Sequence, residues 1–305
     1  MKLVQFFLPG KGARVGAIRG DRVLDITAPE EGVGSTLDLI AQGKTAAGVL
    51  KRADWLARSP RGKALEWRAL QRTPSRRAPH LLIPIHPPEV WGARMTYRRG
   101  EPGRDEDSGA AADHGIHDAG NALPRPELFF KATAARCVGP DGPILIRRDS
   151  RHTAPGAELA VVLGAQGAIV GFTACNDVSA WDIARASPLY LPQAKIYQGC
   201  CALGPCLVTA EEVADPYALQ VRCSILRDGH TVFSEAVNTS QLHRRIDELV
   251  AWLLRDNPVP PGAILSTGTG IRVPDQCALR DRDRVDIEIQ GIGRLSNPVR
   301  RPEGD

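Results

Sequence analysis

Residues 157–163 read Ala157-Glu158-Leu159-Ala160-Val161-Val162-Leu163, and after Gly164 to Gly167 a second apolar run extends from Ile169 to Cys175, followed by Asn176-Asp177. Two short aliphatic runs separated by glycines predict a pair of buried strands joined by a tight turn. An ionised carboxylate inside such a strand is costly unless it is paired or bound to a metal. Glu158 therefore marks a candidate site. Asp177 lies at the far end of the neighbouring strand, where it can stand beside Glu158.

The surroundings of this pair agree with it. Val221 to Leu226 and Thr231 to Ala236 alternate around Asp228-Gly229, a hairpin signal. Val285 to Ile289 reads as a closing strand before Gly291-Ile292-Gly293. Ser240 is expected to cap an amphipathic helix carrying Leu242, Ile246, Leu249, Val250, Leu253 and Leu254, stopped by Asn257-Pro258. Upstream, Val15 to Ile18 and Val23 to Ile26 flank Arg19-Gly20-Asp21-Arg22, and Ser35-Thr36 opens a short helix. The 30 glycines and 24 prolines exceed what a helix bundle tolerates. The expected fold is mixed α+β and mostly β.

Three segments follow from these shifts in pattern. Residues 1–72 form a small N-terminal α/β unit, the Pro-rich stretch 73–90 is a linker or irregular crossing, and 91–305 hold the β-rich catalytic part. Residues 98–124 contain almost no large apolar group, so they are expected to be a mobile lid over the site.

Charge narrows the function. The 39 basic and 35 acidic residues leave a formal charge of +4, and the densest basic patches, such as Arg72 to Arg77, carry no interleaved aromatics. Nucleic-acid binding is not expected from such a surface. The seven cysteines form no C-x-x-C pair and point to buried thiols in a reducing, cytoplasmic setting. The opening apolar run is too short for a secretory leader, and no span reaches membrane length.

Nearly all the basic residues are arginine, and Lys195 is the single lysine after Lys131. A retained lysine in Leu191-Pro192-Gln193-Ala194-Lys195 points to a compact, titratable amine. Thr267-Gly268-Thr269-Gly270-Ile271 offers backbone N–H groups and hydroxyls in a tight loop of the kind that cradles carboxylates. Two acids, one amine and this loop suit a small 2-oxo acid; a buried Glu158–Lys195 ion pair would fit the spacing equally well.

Longer strings go further. Asn176-Asp177-Val178-Ser179, Asp182-Ile183, Pro188 to Lys195 and Thr267 to Ile271 resemble the fumarylacetoacetate hydrolase superfamily, most nearly its 2-keto-3-deoxy sugar-acid dehydratases. Arg125 to Lys131, Leu203-Gly204-Pro205, Thr239-Ser240-Gln241 and Gly291-Ile292-Gly293 extend the likeness over residues 80–299. The resemblance implies a β-roll catalytic domain, a homodimer, and a Mg²⁺ or Mn²⁺ ion that chelates a 2-oxo acid. It places metal ligands on Glu158 and Asp177, catalytic roles on Lys195 and Thr269, and substrate contacts on Thr267, Gly268, Trp181, Tyr97 and Gln193.

Against that pattern the chain departs at three places. The first metal-ligand Glu is Gly156, the arginine before Asp182 is Trp181, and the glutamate after Ile183 is Ala184. Alternate strand positions share a face, so 156 and 158 point to one site, and a glycine offers no ligand. His152 shares their parity but lies about 13 Å from position 156 along an extended strand. Three readings follow. The first is a dehydratase-type lyase working by metal-assisted enolisation, with Lys195 as acid and base. The second is a metal-independent isomerase, cyclase or dehydratase of a specialised pathway. The third is a non-catalytic pseudoenzyme.

Overall fold

The computed structural model describes residues 1–98 and 124–303. The lid expected at 98–124 therefore lies, apart from its two end residues, outside the described residues.

Strand Ala157–Leu163 is buried along its whole length because it is paired on both edges. It runs antiparallel to Ile169–Asp177 on one side, with Glu158 opposite Cys175, and to Ile264–Ser266 on the other. Its side chains alternate between two cores. Leu159, Val161 and Leu163 join a cluster with Val221, Ile225, Val285 and Ile287, whereas Ala160 and Val162 join one with Leu39, Ile40, Val49 and Ala53. The first face thus packs on a second sheet and the second on two helices, Thr36–Gly43 and Ala46–Ala57. Strand residues outnumber helical ones, as expected.

The large sheet has twelve strands. From one edge it runs Leu65–Glu66, Arg22–Asp25, Gly12–Arg19, Lys2–Leu8, Cys201–Thr209, Ile169–Asp177, Ala157–Leu163, Ile264–Ser266, Val90–Arg94 and Glu127–Ala132. Strands from residues 1–72 are thus hydrogen-bonded to strands from the catalytic part, Lys2 pairing with Val208. The Pro-rich crossing contributes His80–Leu81, which pairs with Lys2–Leu8. The second sheet has five strands built around the Asp228-Gly229 hairpin, whose turn residues both take positive φ. Ser35 caps its helix as expected, in a capping box with Asp38.

One expected boundary moves. The helix assigned to a Ser240 cap runs instead from Ile246 to Leu253, and the N-cap position is Arg245. Thr239–Gln241 form a single 3-10 turn, and Leu242 is then bridged to Tyr97: Arg98 N donates to Gln241 O (2.8 Å) and His243 N to Thr96 O (2.8 Å). The helix begins where that pairing ends, and the Ile246 N–H, left without an intrahelical acceptor, donates to Tyr217 Oη at 2.9 Å. Among the described residues no helix is long and apolar enough to cross a membrane.

Candidate active site

Glu158 is buried at 3% exposure at the start of its strand, and Asp177, also at 3%, ends the neighbouring one. Gly156 precedes them on the same face. A Cβ placed on Gly156 would lie 3.2 Å from Glu158 Oε1 and 3.4 Å from Asp177 Cβ. Position 156 therefore faces the acid pair, as strand parity requires, and supplies no donor to it.

Each carboxylate has its own set of partners. Glu158 Oε2 accepts from Ser266 Oγ at 2.5 Å and from Gly268 N at 2.9 Å. The loop can present that N–H because Gly268 sits at φ +87°, where a Cβ would come within 2.2 Å of Thr96 Oγ1. Asp177 is held between two ammonium groups. Lys195 Nζ donates to its Oδ2, and Lys131 Nζ lies 2.7 Å from its Oδ1. Lys195 ends the short helix Leu191–Lys195, and its Nζ also lies 4.9 Å from the Phe129 ring centre and 5.4 Å from that of Trp181. A cation between two aromatic faces is held by their quadrupoles without being neutralised.

The proton affinities follow from this arrangement. Burial, and then the Asp177 charge, push the Glu158 carboxyl up to about 7, against the pull of Lys195, Ser266 and Gly268. Burial also works to raise Asp177, but Lys131 and Lys195 together hold it below the usual carboxylate range. Lys195 is lowered by burial and by the Lys131 charge, in spite of Asp177. The Tyr97 phenol is driven up by burial and by Glu158, and its Oη is buried with no partner among the described residues. A buried hydroxyl with no partner beside an acid pair is a donor left available to a ligand.

The expected residues therefore divide. Glu158, Asp177 and Lys195 converge, with Gly268, Trp181 and Tyr97 around them. Thr267 is fully buried and its hydroxyl is spent on Leu159 O (2.8 Å), so its role is to fix the loop. Thr269 Oγ1 accepts from Ile271 N at 3.1 Å, which leaves its own proton free to donate. Gln193 is exposed, and its described bond is the carbonyl accepting from Arg147 Nη1 at 2.7 Å, away from the acids. His152 approaches Asp275 (3.5 Å) and Arg185 (3.4 Å) and makes no described contact with the acid pair. Lys131, Phe129 and Ser266 were not read from the sequence. Phe129 and Lys131 share one face of strand Glu127–Ala132, and a lysine in the apolar run Leu128-Phe129-Phe130-Lys131 carried the same signal as Glu158. Surface clefts of about 350 and 720 Å³, one lined by the 275–281 loop and one by helix Ala46–Ala57, are separate from this cluster.

A buried pair of carboxylates with a paired lysine and a glycine-threonine loop defines a class of arrangement, one suited to proton transfer. The fumarylacetoacetate (FAA) hydrolase C-terminal family matches residues 107–300, and the chain belongs to that family. It is 45% identical over 223 residues to 2-dehydro-3-deoxy-D-arabinonate dehydratase of Saccharolobus solfataricus, covering 72% of this chain and 74% of the relative. It is 46% identical over 222 residues to a probable 2-keto-3-deoxyxylonate dehydratase of Haloferax volcanii, covering 72% and 75%. The solved structure of 2-keto-3-deoxy-D-arabinonate dehydratase complexed with magnesium and 2,5-dioxopentanoate superposes with a TM-score of 0.81 at 34% identity, over the full length of both chains.

The raised Glu158 carboxyl gives a prediction. Its proton is bound more tightly in the folded state than at the ordinary value of 4.5, so protonation stabilises the fold at low pH. That stabilisation is lost as pH rises from 4.5 through about 7. Glu158→Gln should flatten this fall in thermal midpoint, measured across the same window in metal-free buffer. An unchanged slope in the variant would remove Glu158 as its source.

Proposed function

We propose that the chain is a dehydratase of 2-keto-3-deoxy sugar acids, with Lys195 carrying the proton. The observation that supports it is the convergence of Lys195, Asp177 and Glu158 in one buried cluster, together with the dehydratase relatives. In such a substrate the C3 protons are acidified by the adjacent oxo group. Lys195, whose proton affinity burial lowers, once deprotonated takes one C3 proton, the hydroxyl on C4 leaves, and Lys195 returns the proton to it as water. The first products are water and an unsaturated 2-oxo acid; when its double bond moves toward C5, the C5 alcohol becomes an enol and then an aldehyde. Trp181 and Phe129 shield the amine, Tyr97 Oη and Thr269 Oγ1 orient the ligand's oxygens, and Gly268 keeps Glu158 in place.

The donor set fits a divalent ion. The Asp177 charge raises the proton affinity of Glu158, and a cation between the two carboxylates would relieve the same repulsion. Glu158 and Asp177 would hold Mg²⁺ or Mn²⁺, with Lys195 turning from Asp177 toward the substrate; the ion, when bound, supplies a Lewis acid for the 2-oxo group. One observation favours the metal-independent alternative: both Asp177 oxygens are already faced by ammonium groups, and Gly156 adds no donor. We further infer a cytoplasmic homodimer. Its support is seven free cysteines and the exposed Leu189 and Tyr190 beside the Lys195 helix.

The test is dehydration of 2-keto-3-deoxyarabinonate and 2-keto-3-deoxyxylonate, followed as the released carbonyl product. Turnover is expected in the wild type and should fall at least about 1,000-fold in Lys195→Met. No turnover of either acid, with or without Mg²⁺, would refute the reading. Gly156→Glu adds an anionic ligand and should tighten Mn²⁺ binding by about tenfold or more, read by the loss of free-ion EPR signal. An affinity unchanged by the substitution would show that no ion sits against position 156.

A further inference from the structure

Lys131 stands outside the set expected from the sequence, yet its side chain is fully enclosed. Its Nζ donates to Val178 O at 2.8 Å and to Lys195 O at 2.6 Å, and lies 2.7 Å from Asp177 Oδ1. Two of its three N–H donors are spent on main-chain carbonyls, and its charge is paired with the Asp177 carboxylate. Lys195 has one described hydrogen bond, to Asp177, and otherwise faces two aromatic rings. Counting donors separates the two amines. Lys195 makes one hydrogen bond and faces two rings, whereas Lys131 is tied to the main chain at two points and to Asp177 by charge.

The three acceptors lie on the two segments that build the site. Asp177 and Val178 are where strand Ile169–Asp177 ends, and Lys195 is the last residue of helix Leu191–Lys195, 18 positions further on. A helix of five residues has little stability of its own, and its terminal carbonyls lack intrahelical partners. Lys131 supplies both a donor and a positive charge at that C-terminus.

We propose that Lys131 is a positioning residue for the Lys195 reaction: it ties the Asp177 carboxylate and the main chain of Lys195 into one frame, so that Lys195 Nζ meets the reacting carbon at a fixed place. The inference rests on the proton-carrying role given to Lys195 above. Misplacing a reacting group by an ångström costs about 100-fold in rate, so the tie matters to catalysis as well as to the fold.

The experiment compares Lys131→Met and Lys131→Arg in the full chain with the wild type, using only folded protein. The expected result for both is a kcat about 100-fold lower with KM changed less than about threefold. Combined with Lys195→Met, either change should slow the reaction no further than Lys195→Met alone, because Lys131 acts through Lys195. Multiplying effects in the double variant would overturn the proposal. A readout independent of turnover is the rate at which trinitrobenzenesulfonate labels Lys195, measured by mass spectrometry of its peptide. Freed from the tie, Lys195 should label about tenfold faster. A wild-type labelling rate in a folded variant would overturn the proposal even if the chain dehydrates no sugar acid. Lys131→Arg covers failure of the Met variant to fold: it keeps the charge, but a planar guanidinium cannot converge on the three oxygens. Wild-type kcat and labelling in Lys131→Arg would likewise overturn it.

Discussion

The site depends on two carboxylates buried side by side on adjacent strands. Glu158 and Asp177 would repel one another in a medium of low polarity, and neither has water to solvate it. The protein answers this asymmetrically. Asp177 receives two ammonium groups and stays ionised, while Glu158 receives only a hydroxyl and a backbone N–H and keeps a high proton affinity. Two like groups in different surroundings are thus given different proton affinities, the condition under which acid and base roles separate. The twelve-stranded sheet serves this arrangement, because a strand hydrogen-bonded on both edges is rigid enough to hold the acids in register.

How far the sequence revealed this depends on whether the signal was local. Glu158 was legible because a charge inside an aliphatic run is costly, and Asp177 because the next strand had to pair with the first. Lys195 was legible because lysine is scarce in that half of the chain. Lys131 carried a comparable signal, but its meaning depends on strand Glu127–Ala132 lying next to the helix that ends at Lys195, a contact between segments 64 residues apart. Strand Cys201–Thr209 was not read from the sequence, although it sits between Lys2–Leu8 and Ile169–Asp177. The helix expected from Ser240 starts at Ile246 because non-local pairing with residues 96–98 outweighs the local cap. Thr267 and Gln193 were placed at the site by resemblance, but one spends its hydroxyl on the main chain and the other is exposed.

The departures from the family pattern fall on one side of the cluster. Gly156 lacks an anionic donor, and Trp181 places a ring where a guanidinium was expected, 5.4 Å from the Lys195 amine. Both changes lower the density of charged groups around the reacting position. Fewer ligands weaken the hold on a hard cation, and burial lowers the proton affinity of the amine. On the reading proposed above, the chain keeps an amine for proton transfer and offers no anionic donor at position 156.

The most direct test of this account is a crystal structure of the protein soaked with Mn²⁺ and a 2-keto-3-deoxy sugar acid. The account expects the acid's carboxylate and oxo group beside Glu158 and Asp177, with Lys195 Nζ turned from Asp177 to within hydrogen-bond reach of the ligand. A ligand bound elsewhere, with Lys195 still paired to Asp177, would contradict it.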